Sequence, residues 1–292
     1  MKKLFGALLP GVLALSVNAM AADPAPLTHL WTTEGFAEPE SVVVDAARDR
    51  LIVSNIDGHP GEADGEGFLS LLDPDGSVVN RQWIGGLDAP KGMAIHEGRL
   101  YVSDITALHE IDLERGRLVR SFEPDDARFL NDVTVTADGD VYVTDMMANA
   151  VYRLHDGRLT RWSEDDGLHH PNGILAQDGR LIVGNWGTGL ESDFTTATPG
   201  SLVLMDADGA GIEPVPNGDA LGNIDGVAAL GHYLVVSDWV KGTLTFLPQA
   251  GGAVETHAVE PGVADIGAAG DRLYVPLMRT GRVSAYSVSA SP

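Results

Sequence analysis

Six polar residues recur at nearly regular intervals along the chain: Glu40, Lys91, Asn131, Asn172, Asp225 and Asp265. They are separated by 51, 40, 41, 53 and 40 residues. Three are carboxylates and two are carboxamides, so the chemistry they share is hard-oxygen donation. Carboxylates brought together repel one another unless a cation joins them. Calcium takes six to eight such oxygens, which makes it the preferred ion, with magnesium or manganese as alternatives. The chain has no cysteine, and no pair of histidines shows zinc spacing. The same six residues can instead form a hydrogen-bonded polar plug around water. Either reading requires the fold to bring them to one place.

The elements that would do so are visible around each of them. Asn172-Gly173-Ile174-Leu175-Ala176 is followed by Asp178-Gly179 and then by Leu181-Ile182-Val183-Gly184-Asn185. An Asp-Gly pair between two short apolar runs is a strong hairpin signal, because the turn needs positive φ. The other five residues sit in comparable phrases. A period of about 40–50 residues with several short strands per unit marks the blades of a propeller. The two long intervals come from extra segments after the second strand, Ile56 to Gly67 in unit one and Trp186 to Gly200 in unit four. Third strands follow, Gly67 to Leu72 and Ser201 to Met205 for instance, then weaker fourth strands such as Arg158 to Trp162. The Asp-x-Asp-Gly fragments at Asp73 and Asp206 read as blade turns. The last unit offers three strands, ending with Arg282 to Val288, while Leu27 to Trp31 stands alone before the first. Pairing those two closes the ring and removes exposed sheet edges. The expected fold is all-β, a six-bladed propeller whose last blade is completed by the N-terminal strand.

In such a ring the leading residue of each unit begins the strand that lines the central channel. The six are therefore expected at one mouth, overhung by the two long loops, where binding and catalysis concentrate. Asp225 and Asp265 are the candidate general bases. His59, on the first long loop, and His170, two residues before Asn172, are either alternative bases and substrate contacts or surface residues. Lys91 either neutralises Glu40 or Asp265 or touches a substrate oxygen. Trp186 and Trp239 either wall an apolar substrate pocket or pack between loops. A second polar column, Asn55, Asp104, Asp145, Asn185 and Asp238, ends the second strands and reads mostly as structural hydrogen bonding.

Residues 1–21 read as a secretory signal peptide: Lys2 and Lys3, an apolar run from Leu4 to Val17, and Ala19-Met20-Ala21 as an A-x-A cleavage site. That leaves residues 22–292 as one propeller domain, expected in the periplasm or secreted. The formal charge of the whole chain is −23, and removing Lys2 and Lys3 takes it to −25. Such a balance argues against nucleic acid and anionic membrane as partners. The expected partner is a small molecule, and the chain is expected to act as a monomer. Without cysteine, no disulfide supports the fold.

The set of Glu40-Ser41-Val42-Val43-Val44-Asp45, Asn131-Asp132, Asn172-Gly173 and Asp225-Gly226, in that order and at that repeat position, resembles the calcium-dependent propeller hydrolases of the senescence-marker-protein/gluconolactonase group. Paraoxonases and diisopropyl fluorophosphatase are relatives of that group. The resemblance covers essentially the whole chain after the signal. It implies calcium held by Glu40, Asn172 and Asp225, with Asn131 as a fourth ligand or a substrate-binding amide, and Asp225 as base or nucleophile. It further implies hydrolysis of lactones or related esters. One position departs: where gluconolactonases carry an arginine two residues before the Asn131 position, this chain has Phe129. The rival readings are a non-catalytic ligand- or protein-binding propeller with a structural metal, and a metal-free enzyme like strictosidine synthase. The Glu-Asn-Asn-Asp set disfavours the latter.

Overall fold

The computed structural model describes residues 27–206, 209 and 211–289. The segment read as a signal peptide, 1–21, lies outside the described residues, as do three residues around the Asp206 turn. Six four-stranded antiparallel sheets form the blades. Blade one runs Pro39–Asp45, Arg50–Asn55, Gly67–Leu72 and Val78–Leu87 from the channel outwards. Blades two, three and five repeat that meander from Pro90, Leu130 and Ile224. Blade four does so from Pro171, with an extra two-stranded hairpin, Gly187–Leu190 and Thr196–Pro199, between its second and third strands.

Blade six closes the ring in the expected way. Leu27–Glu34 pairs antiparallel with Arg282–Val288, from Leu27 opposite Val288 to Glu34 opposite Arg282. Trp31 Nε1 and Thr33 Oγ1 then donate to the carbonyls of Pro74 and Gly76, in the Asp73 turn of blade one. The N-terminal strand thus binds the last blade by its backbone and the first by its side chains.

The apolar residues explain why sheets stack round a channel. Among the described residues six buried clusters form, each shared by two neighbouring blades. Leu108 of blade two packs with Val133 and Val143 of blade three, for example. A strand covered on both faces reads as a continuous apolar run rather than an alternation, as Leu51-Ile52-Val53 does. The hairpin turns behave as their sequences demand, since Asp178 and Gly179 both hold positive φ, 51° and 76°.

Candidate functional site

The site is made by a break in the inner ladder of five blades. Pro39 pairs with Asn55, but the next register pair is Val42 with Val53, which leaves Glu40 and Ser41 out of the ladder. The same skip frees Lys91 and Gly92, Asn131 and Asp132, Asn172 and Gly173, and Asp225 and Gly226. Hydroxyls on the second strands take over the lost backbone bonds. Ser54, Thr144 and Ser237 accept from the amides of Ser41, Asp132 and Gly226 at 2.9, 3.0 and 2.8 Å. Hydroxyls at the same position reach forward to the next blade. Ser103 donates to the Asn131 carbonyl, Thr144 to that of Asn172 at 2.7 Å, and Ser237 to that of Ala264 at 2.8 Å. Glycine follows the polar residue where backbones touch: a Cβ on Gly92 would stand 2.4 Å from Asp132 Cα, and one on Gly226 2.5 Å from the Ile266 nitrogen.

Blade six corrects the sequence expectation. Val263 bridges Leu277 as Pro39 pairs with Asn55, so Ala264, not Asp265, holds the sixth place. Asp265 stands one step deeper, bridged in parallel with Ser41, whose hydroxyl donates to its Oδ2 at 2.5 Å. Asp132 shares that layer, and the Asp265 charge helps to raise its carboxyl further. Asp132 and Asp265 line a second cavity, further down the channel, with the apolar inner strands around them. The sign of this was in the sequence: Val42, Met93, Val133, Ile174, Val227 and Ile266 each follow the ring residue by two, which points back to Ala264.

The remaining five ring residues, Glu40, Lys91, Asn131, Asn172 and Asp225, are all buried and all line one cavity of about 350 Å³. Four of them present a buried side-chain oxygen with no hydrogen-bond partner: Glu40 Oε2, Asn131 Oδ1, Asn172 Oδ1 and Asp225 Oδ1. The Asn172 amide lies beside Asp225 and works against the rise of its pKa. Burial pushes the carboxyls of Glu40 and Asp225 well above their usual range, and the charges of Asp225 and Asp265 on the first, and of Asp265 on the second, push them further. Two carboxylates and two amides converging without partners are a donor set that fits a hard divalent cation. Among the described residues no three His, Cys, Asp or Glu side chains are grouped to hold a metal by themselves, so this set depends on its amide oxygens.

Lys91 is 1 % exposed. Its Nζ donates to the Ala89 carbonyl at 2.8 Å and lies 4.5 Å from the centre of the Phe129 ring. Burial lowers its pKa to about 8, against the pull of Glu40 and Asp104. Among the carboxylates, the charge of Glu40 acts most strongly on it. The second polar column ties down the segments that lead into the ring: Asp104 accepts from the amides of Asp88 and Ala89, and Asp145 from those of Arg128 and Phe129.

The wall above is aromatic. Trp186, Phe194 and Trp239 form a triangle with centroids 5.9–6.4 Å apart, so the two tryptophans both pack between loops and face the cavity. Phe194 was not singled out by the sequence. The extra hairpin carries it in, at φ 65°, and its carbonyl accepts from Trp186 Nε1 at 2.8 Å. Met146, Met278, Glu38 and Arg279 were likewise missed, because irregular loops bring them to the mouth. His59 lies at the rim. Its Nδ1 accepts from the Gly61 amide at 3.2 Å. His170 does not line the cavity; its Nδ1 donates to the Met146 carbonyl at 3.0 Å and its amide donates to Asn149.

No protein-family model and no curated protein matches the chain. Solved structures do resemble it. A gluconolactonase from Xanthomonas campestris is 18 % identical with a TM-score of 0.64, over 95 % of this chain and 99 % of that one. A streptogramin B lyase is 10 % identical with a TM-score of 0.61, over 89 % and 98 %. A chain of a nidogen/laminin complex is 14 % identical with a TM-score of 0.61, over 87 % and 89 %. At these identities the likeness is one of fold.

Proposed function

We propose that this chain is a metal-dependent hydrolase of lactones or related esters, acting at the mouth of the propeller channel. The observation that carries the reading is the convergence of four buried, unpartnered oxygens on the floor of one cavity. Each such atom left unsatisfied costs about 1–3 kcal/mol, so four together mark a place built for a ligand. The structural likeness to a gluconolactonase supports the reaction class at the level of fold.

Glu40, Asn131, Asn172 and Asp225 would hold a calcium ion, or magnesium or manganese in its place. When bound, that ion supplies Lewis-acid polarisation of the acyl oxygen. The chain's own residues do the rest. Trp186, Phe194 and Trp239 exclude water and take up the apolar part of the substrate. Asp225 receives the proton of the attacking water on the carboxylate oxygen that does not face the ion, as the water oxygen bonds to the acyl carbon. The bond from the acyl carbon to the leaving oxygen then breaks, and the leaving oxygen takes that proton back. A lactone so opened yields a hydroxy acid. Lys91 offsets the Glu40 charge from its seat on Phe129. Asp265 is below this floor, so the role of base falls to Asp225 alone. Phe129 in place of the arginine of gluconolactonases turns the site away from a sugar lactone held at that position. The amino-terminal sequence supports an exported enzyme.

The test is turnover of a panel of aliphatic lactones and aryl esters by EDTA-treated protein, with and without added calcium. Calcium-dependent hydrolysis is expected. One calcium bound with no turnover of any member would leave a binding propeller in its place.

A further inference from the structure

We infer that the substrate carries a carboxylate of its own besides the scissile ester, and that Arg279 binds it. The inference rests on the hydrolase reading for its substrate, but on separate residues for its evidence. Arg279 lines the cavity on the short 3-10 turn Met278–Thr280. It is exposed, and its guanidinium carbon lies 4.2 Å from the centre of the Trp239 ring. The carboxylate that flanks the same turn, Glu260, is already occupied: Thr280 Oγ1 and Arg282 Nη2 each donate to it at 2.5 Å. Among the described residues Arg279 forms no ion pair and no side-chain hydrogen bond, so a planar fork of N–H donors stands open at the cavity wall of a chain with formal charge −23.

The turn is built to hold it there. Gly262 has φ +93°, and a Cβ on it would stand 2.6 Å from Arg279 Cγ. Its amide donates to the Trp239 carbonyl at 2.7 Å, and its carbonyl accepts from the Met278 amide at 2.8 Å. Trp239, Gly262 and Arg279 are therefore tied together, with the guanidinium stacked on the indole. Charge balance points the same way. The cavity wall carries three carboxylates, Glu38, Glu40 and Asp225, against Lys91, Arg279 and a divalent cation, which leaves one positive charge in excess; Glu38 Oε2 already accepts from the Gly58 amide at 2.8 Å. Lys91 is committed to Ala89 and Phe129, so an anionic group on the ligand meets Arg279. One guanidinium edge matches a single carboxylate in two parallel bonds, whereas a dianionic phosphate would leave a charge facing Glu38.

The test uses 3-phenylpropionate and its neutral amide, titrated against intrinsic tryptophan fluorescence with calcium-loaded and with EDTA-treated protein. It adds two esters of one shape, mono-4-nitrophenyl glutarate and 4-nitrophenyl valerate. Wild type is expected to bind the acid at least tenfold more tightly than the amide, and to show a kcat/KM at least tenfold higher for the glutarate, mostly through KM. Arg279→Met should abolish both preferences, and Arg279→Lys should restore part of them. Equal binding of acid and amide, or an acid preference untouched by Arg279→Met, overturns the inference, the latter by placing the carboxylate on the cation instead. If neither ester is turned over while the Arg279-dependent acid preference persists, the hydrolase reading fails and the carboxylate site stands. If both esters are turned over equally and Arg279→Met changes nothing, the hydrolase reading stands and the carboxylate site fails.

Discussion

The hydroxyl of Thr144, on the second strand of blade three, donates to the main-chain carbonyl of Asn172, on the inner strand of blade four, at 2.7 Å. The same oxygen accepts from the Asp132 amide at 3.0 Å. One side chain therefore fixes the backbone behind two proposed ligands, Asn131 and Asn172, across a blade boundary. Ser103 and Ser237 repeat the forward bond at two other boundaries, so the ring of proposed ligands is positioned by neighbouring blades rather than by each blade alone.

Thr144→Val keeps the shape and removes both bonds. It should cost about 1–3 kcal/mol of stability, because it leaves a buried amide and a buried carbonyl without partners. Support of this kind typically governs metal affinity by about 10–100-fold, so calcium binding measured by calorimetry should weaken by at least tenfold. An unchanged affinity in a folded variant would show that the ring does not depend on its hydroxyl column.

Asp225→Asn and Asp265→Asn should separate cleanly. Asp225 lines the cavity and Asp265 lies one layer below it. Asp225→Asn is expected to weaken calcium binding and to lower kcat by about a hundredfold or more. Asp265→Asn is expected to leave both within a few-fold. A loss of turnover in Asp265→Asn with calcium still bound would return the role of base to the deeper layer.

The charge below the floor sets a pH dependence. Burial raises Asp265 to about 7, against the help of Ser41 and Asp132. Its folded pKa is therefore above its unfolded one. The stability it contributes is full below about pH 4 and is lost as pH rises through about 7, on the order of a few kcal/mol. Thermal melts of EDTA-treated protein should fall in Tm between pH 5 and 7.5, with a smaller fall in Asp265→Asn. A Tm that rises over that interval would contradict the burial of a protonated carboxyl pair.

The fold was legible because its signals are local and repeated: Asp-Gly turns, short apolar runs, a fixed period. Five of the six ring places were legible for the same reason. The sixth was not, because Ala264 carries no polar signal and Asp265 beside it does. The aromatic wall was half legible. Trp186 and Trp239 abut marked strand ends, but Phe194 reaches the cavity only through a hairpin that Gly187 to Pro199 does not advertise by alternation. Arg279 depends on Gly262 and Trp239, distant in sequence, and no pattern links them.

Ring closure predicts its own failure. Deleting residues up to Glu34 leaves Arg282–Val288 as an open edge and removes the contacts of Trp31 and Thr33 with blade one. Exposed edges pair with other chains. The truncated protein should aggregate, or melt many degrees lower, in light scattering and calorimetry. A monomer of unchanged Tm would mean that the ring holds without its N-terminal strand.

The most direct measurement is the rate of hydrolysis of the best lactone or aryl ester against free calcium concentration, starting from EDTA-treated protein. The rate should be negligible without the ion and rise to a plateau along the same curve as a calcium-induced increase in Tm. That increase corresponds to about 2.7 kcal/mol at a hundred times the dissociation constant. Both responses should be lost together in Asp225→Asn. A rate that is the same with EDTA as with calcium, or a saturating Tm shift that survives Asp225→Asn, would contradict a cation held by Glu40, Asn131, Asn172 and Asp225 at the seat of the chemistry.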